Sequence, residues 1–302
     1  EIKEAKTYDF KVTDQVSNTS NITINEADLY IDKTAPKITS FKFESVSSEK
    51  DKLFSFLTFG IYHNDNIKVT VSAVDNGCSS GLKDITLLEE SGDKSSVIEA
   101  DQTGKLKYDE DNKIYTKSFI LSAAEGVETA KFKLLATATD NVDNKDSKSV
   151  LDDDIVLYKG NDVIKINKDN FEIIKTIKPP TVENITLAPA SKSEKASGDN
   201  YPGDVTLKFT AVDDTSALKE VKVVLDENTV LKKDFTKDKT NSADISYSTD
   251  GIGAGEHTLR IYVENNANNE LKPETGNNYI EKTFYVDSTP PVIKDFKFEK
   301  VE

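Results

Sequence analysis

Methionine and tryptophan are absent from these 302 residues, cysteine and arginine occur once each (Cys78, Arg260), and histidine twice (His63, His257). A lone cysteine excludes an internal disulfide framework and any zinc site built on paired cysteines. The two histidines stand far apart with no nucleophile or metal-ligand motif beside either, so turn or strand-edge roles are expected for them. Without tryptophan the chain lacks the usual flat platform for a sugar ring. No apolar run approaches the roughly 20 residues of a membrane helix and no stretch reads as a signal peptide, so direct membrane insertion is not expected. Basic residues number 39 against 54 acidic ones, a net charge of −15. That balance disfavours nucleic acid and anionic membranes, which both need a basic face. With no methionine even at its first position, the chain is expected to be a piece of a longer polypeptide.

What the chain does have is a recurring stretch. Tyr30-Ile31-Asp32-Lys33-Thr34-Ala35-Pro36-Lys37-Ile38-Thr39-Ser40-Phe41-Lys42-Phe43-Glu44 returns as Tyr285-Val286-Asp287-Ser288-Thr289-Pro290-Pro291-Val292-Ile293-Lys294-Asp295-Phe296-Lys297-Phe298-Glu299, identical at nine of fifteen positions. A weaker copy, Ile177 to Leu187, keeps a proline at 180 and the apolar spacing but loses the Asp and Thr. A signature returning at domain-sized intervals means tandem modules. A length of 302 residues agrees with about two domains, and 36% hydrophobic residues suffice to fill their cores.

Period-two alternation dominates the chain. Ile67 to Val74 alternates cleanly and ends at Asp75, a Gly/Ser loop follows, and Leu82 to Leu87 begins the next run. Val205 to Val212, Asp213-Asp214-Thr215-Ser216 and Leu218 to Val223 repeat that order. Phe132 to Thr139 leads into Asp140-Asn141-Val142-Asp143-Asn144, as Leu259 to Glu264 leads into Asn265-Asn266-Ala267-Asn268-Asn269. Many short strands with Asx-rich turns and no helical period specify an all-β sandwich. The expected core is Val69, Val71, Ala73, Ile85, Leu87, Phe132, Leu134 and Ala136 in the first module. Val205, Leu207, Phe209, Val221, Val223, Leu259, Ile261 and Val263 are their counterparts in the second.

Ala73-Val74-Asp75, Ala138 to Asn144 and Asp32-Lys33-Thr34-Ala35-Pro36 resemble the landmarks of bacterial immunoglobulin-like repeats. The resemblance implies tandem immunoglobulin-like β-sandwiches in an extended arrangement, as in the stalks of secreted adhesins and cell-wall proteins. It divides the chain into 1–32 (last strands of an incomplete domain), 33–177 (a sandwich with an elaborated last hairpin), 178–288 (a second sandwich) and 289–302 (the first strand of a following domain). A non-catalytic spacer of an extracellular bacterial surface protein follows, its partners being neighbouring domains of the same polypeptide. The alternatives are a module that binds an extracellular glycan or host protein, with Tyr62, Tyr108, Tyr115, Tyr158 and Tyr201 in place of tryptophan, or accessory domains of a surface glycan-degrading enzyme.

In such a sandwich strands B and F both climb to the pole where strand A begins. Asp32, Asp75, Asp140 and Asp143 are therefore expected near one pole of the first module. Clustered carboxylates with backbone carbonyls suit calcium, which takes six to eight hard oxygens in flexible geometry. The resemblance adds that some adhesins of this type bind Ca2+ at domain junctions and are stiffened by it. The second module has Thr176, Lys178 and Asn265 where the first has acids, and is the weaker candidate.

Overall fold

The computed structural model describes residues 6–26, 29, 31–47, 54–76, 80–101, 104–191 and 196–299. Tyr30 of the signature and Gly77, Cys78 and Ser79 of the Gly/Ser loop lie outside the described residues. Among the described residues there is no α-helix, and the chain forms two compact units. The first comprises Glu1–Lys52 and Asp65–Ile173, the second Leu53–Asn64 and Ile174–Glu302. These do not coincide with the expected spans, since 53–64 lies with the second unit.

In chain order, β1 (Tyr8–Thr13) and β2 (Thr19–Ile24) pair with each other as a two-stranded sheet with mostly exposed side chains. Then come β3 (Lys37–Ser45), β4 (Ser55–Leu57), β5 (Gly60–His63), β6 (Ile67–Val74), β7 (Leu82–Glu89) and β8 (Ser96–Ala100). They are followed by β9 (Lys107–Asp109), β10 (Ile114–Ala123), β11 (Thr129–Phe132), β12 (Leu134–Asp140) and β13 (Lys145–Ser149). A hairpin of β14 (Val156–Lys159) and β15 (Asp162–Ile164) precedes β16 (Glu172–Thr176). The remainder is β17 (Thr181–Pro189), β18 (Asn200–Tyr201), β19 (Val205–Val212), β20 (Leu218–Leu225), β21 (Asn228–Asp234), β22 (Ser242–Ser248), β23 (Gly255–Asn265) and β24 (Ile280–Val286).

The first unit is built on two facing sheets. One runs β15-β14-β3-β6-β10-β8 with β9 on β10, and the other runs β13-β12-β7. Taking β3, β6, β7, β10, β12 and β13 as strands A, B, C, E, F and G, the pairings are A–B–E against C–F–G, an immunoglobulin-type order. The second unit repeats it, with β17-β19-β22 facing β18-β24-β23-β20-β21. Every expected core position of both modules is buried, while Lys131, Lys133 and Lys208, which alternate with them, point to solvent. The period-two reading therefore places the register correctly. The β14–β15 hairpin does not lengthen strand G, as an elaborated last hairpin would. It adds parallel to the free edge of β3, Val156 opposite Ser40.

The β4–β5 hairpin belongs to the second unit, and its β5 strand carries no alternation. All four β5 residues are buried, including His63, whose ring stands edge-on to Phe54 at 5.2 Å. Phe59 and Tyr62 pack with Ile174 and Ala267. A strand buried on both faces shows a continuous apolar run instead of an alternating one.

Candidate functional site

Three of the four acidic residues marked in the sequence meet at one pole of the first unit. One carboxylate oxygen from each of Asp32, Asp75 and Asp140 lies within 4.8 Å of the other two. They arrive from different elements: Asp32 from the segment leading into β3, Asp75 from just beyond β6, and Asp140 from the last position of β12. The fold brings these elements together because strand A begins where strands B and F end.

Local hydrogen bonds aim each carboxylate. Asp140 is buried, and its Oδ1 accepts the Val142 and Asn144 amides at 2.9 and 2.8 Å. This Asx turn is closed by Asp143 in the left-handed region at φ 69°. Asn144 Nδ2 donates to Asp140 Oδ2 at 2.8 Å and to the Asp32 carbonyl at 3.3 Å, so the F–G turn grips the segment that precedes β3. Asp32 accepts the Thr34 amide at 3.0 Å and the Ser80 amide at 2.8 Å. The Thr34 bond foremost, with Ser80, holds the Asp32 carboxyl below its ordinary 3.8 against the opposing effect of burial. Asp143 stands apart from the three. Its carboxylate is exposed and paired with Lys83 at 2.7 Å. Asn141 and Val142 separate it from Asp140 in the turn, and its side chain is directed to Lys83 of β7.

The corresponding pole of the second unit has the same backbone and different chemistry. Asn265 occupies the Asp140 position, Asp213 the Asp75 position and Thr176 the Asp32 position. Four features of the scaffold correspond. Asn266 donates its backbone amide to the Ala217 carbonyl at 3.0 Å, as Asn141 does to Gly81 at 3.0 Å. Asn268 takes the left-handed conformation, φ 61°, at the place of Asp143. The Lys178 amide donates to Thr176 Oγ1 at 3.1 Å, as the Thr34 amide does to Asp32. Asn269 Nδ2 reaches the Thr176 carbonyl at 2.9 Å, as Asn144 reaches Asp32.

At the centre the two poles part company. Asn265 Nδ2 donates to Asp213 Oδ2 and to the Lys178 carbonyl, both at 2.9 Å. The other oxygen of Asp213 takes the Ser216 amide at 2.7 Å. The second pole thus holds one carboxylate, and an amide nitrogen of its own sits between the acceptors. The first pole has a third carboxylate where that nitrogen would be. Oxygens at the usual calcium distance of about 2.3–2.6 Å lie up to about 5 Å apart across the ion. A mutual spacing within 4.8 Å accommodates one such ion.

Other features of the sequence find structural places. His257 bonds Asp226 Oδ2 through Nδ1 at 2.6 Å and the Gly253 carbonyl through Nε2 at 2.9 Å. Tyr62 and Tyr201 are buried in the second unit, Tyr158 is half-buried, and Tyr108 lies against Tyr115 with ring centroids 4.5 Å apart. A groove of about 240 Å³ in the first unit is walled by Phe132, Leu134, Val150 and Phe171. Neither histidine lines it.

No family model and no curated protein matches this chain. Solved structures similar to it include the fibronectin(III)-like modules of Clostridium thermocellum CbhA, at 11% identity over 84% of this chain and 100% of that one, with a TM-score of 0.28. The C-terminal domain of the Streptococcus agalactiae AgI/II polypeptide BspA aligns at 11% identity over 82% of this chain and 99% of that one, TM-score 0.28. The D00-D0 domain of Intimin gives 11%, 82%, 99% and 0.28 in the same order. The assignment of the fold rests on the strand order within each unit, independently of these likenesses.

Proposed function

We propose that this chain is a non-catalytic structural spacer of a secreted bacterial surface protein, and that its first sandwich is fastened at the strand-A pole by a calcium ion held by Asp32, Asp75 and Asp140. The observation that carries this reading is the contrast between the two poles. On matching backbones, the second satisfies its acceptors with the Asn265 amide, while the first gathers three carboxylates around the same point. Like charges so close repel, and a cation removes the penalty. An all-oxygen donor set of hard ligands favours Ca2+, with water completing the shell. Because Asp32 lies before β3 while Asp75 and Asp140 end β6 and β12, an ion bridging them restrains the incoming chain against the sandwich. Millimolar extracellular calcium matches the affinity expected of such a site, about 10⁻⁴ to 10⁻³ M.

Thermal unfolding in a calcium titration tests it. An ion that binds only the folded state stabilises by about 1.4 kcal/mol at tenfold excess over Kd, which moves the melting temperature by about 3–6 °C for a unit of this size. Asp75→Asn should abolish the shift with the fold intact. A melting curve unmoved by calcium means that these aspartates serve only to build turns.

A further inference from the structure

The recurring stretch occurs three times, and only two copies are docked. In the first unit β3 carries Ile38, Phe41 and Phe43, all fully buried. In the second, β17 carries Val182, Ile185 and Leu187, all packed against the core. In the third copy the matching residues are Ile293, Phe296 and Phe298, which are 73%, 72% and 94% exposed in a segment without strand pairing.

The spacing is diagnostic. Counted from Pro36, Pro180 and Pro291, the apolar residues fall at the second, fifth and seventh positions in every copy. A gap of three followed by a gap of two cannot lie on one face of a regular strand, whose side chains alternate strictly. An extra residue inserted as a β-bulge restores them to one face. Both docked copies contain that irregularity in the first gap. The β3–β6 register shifts between Ile38 and Ser40, and the β17–β19 register between Glu183 and Thr186. Both copies pair antiparallel with strand B of their own sandwich.

We infer that Pro291–Glu299 is a bulged strand A whose binding partner is the strand-B edge of a further immunoglobulin-type sandwich. The partner must offer what β6 offers β3: an antiparallel backbone edge with aliphatic residues at alternate positions, as in Ile67, Val69, Val71 and Ala73. On docking, Ile293, Phe296 and Phe298 enter that sandwich's core, while Lys297 and Glu299 take the outward places of Lys42 and Glu44. The backbone bulges near Lys294 and Asp295. The pattern specifies one register, because sliding the segment by one residue would bury its charges.

Peptide complementation tests the inference, using the full chain with its own strand A disabled by Phe41→Ser and Phe43→Ser and its third copy silenced by Phe296→Ser and Phe298→Ser. A synthetic peptide of residues 288–302 should restore the unfolding transition of the first unit, as a peptide of residues 34–46 should. The same peptide lacking Lys294, which keeps the apolar residues and removes the bulge, should not restore it. Failure of the 288–302 peptide where the 34–46 peptide succeeds overturns the inference, as does equal rescue by the shortened peptide, which would mark mere apolar adhesion. Should neither parent peptide act, the full chain with Lys37→Val, Thr39→Lys and Ser40→Asp decides, because these changes write the third copy into β3. Retention of its unfolding transition supports strand-A competence, and loss of it refutes the claim.

Discussion

The presence or absence of a charge at one side chain separates the two poles. Asn265 carries its own donor into the space between Asp213 and the Lys178 carbonyl, whereas Asp140 brings a third negative group into the corresponding space. Asp140→Asn should therefore do more than remove a ligand. It should convert the first pole to the chemistry of the second, leaving a protein whose melting temperature without calcium is at least that of the parent and no longer responds to the ion. Thermal unfolding with and without calcium checks both parts, and a calcium response that survives the substitution would remove Asp140 from the site. A separate prediction concerns His257. Burial opposes its charged ring, but the Asp226 carboxylate and the Gly253 carbonyl outweigh burial and raise it above its ordinary 6.5. The folded state then holds the proton more tightly than the unfolded chain. The resulting stability is fully present below pH 6.5 and is lost as the pH climbs through the raised value. His257→Gln should flatten that decline in a series of denaturant titrations at increasing pH. At this scale the sequence reveals Asp32, Asp75 and Asp140, because each ends or precedes a strand whose direction is known. The sequence also places Asp143 with them, whereas the turn, with Asp143 at a left-handed φ of 69°, directs that side chain to Lys83 instead, a detail that the sequence does not reveal.

The strands divide into those whose pattern names their partner and those whose pattern does not. Alternating runs such as Ile67–Val74 and Val205–Val212 announce both their faces, and their registers follow from the sequence. The β4–β5 hairpin shows the opposite case. Phe54, Phe56, Phe59, Ile61, Tyr62 and His63 are all buried, so no polar alternation marks it, and nothing local tells a buried strand from a collapsed loop. Its conformation depends on Gly60, where an added Cβ would come within 2.6 Å of the Tyr62 ring. A buried aromatic cannot yield that space cheaply. Gly60→Ala should destabilise the second unit by about 1–3 kcal/mol. Denaturant unfolding measures it, and combining the change with Tyr62→Leu should recover part of the loss if the ring is the obstacle. In the sequence the β14–β15 region reads as part of an elaborated last hairpin, and its true destination is not legible there. A parallel partner more than a hundred residues upstream is set by the free edge of β3, which the hairpin's own sequence does not encode.

For the molecule as a whole, one strand order serves twice, and the repeated proline signature gave the first sign of it. Two sandwiches with filled cores need no ion to fold. On the reading proposed above, a calcium ion held by the three carboxylates would set how firmly the chain entering the first sandwich is held, acting on stiffness instead of on chemistry. The most direct measurement is isothermal calorimetry of the metal-free full chain with calcium, repeated on Asp140→Asn. The predicted result is one calcium per chain at a Kd of about 10⁻⁴ to 10⁻³ M in the parent and none in the variant, with the second pole silent in both. Binding that persists in Asp140→Asn, or a parent chain that takes up no calcium at millimolar concentration, would contradict it.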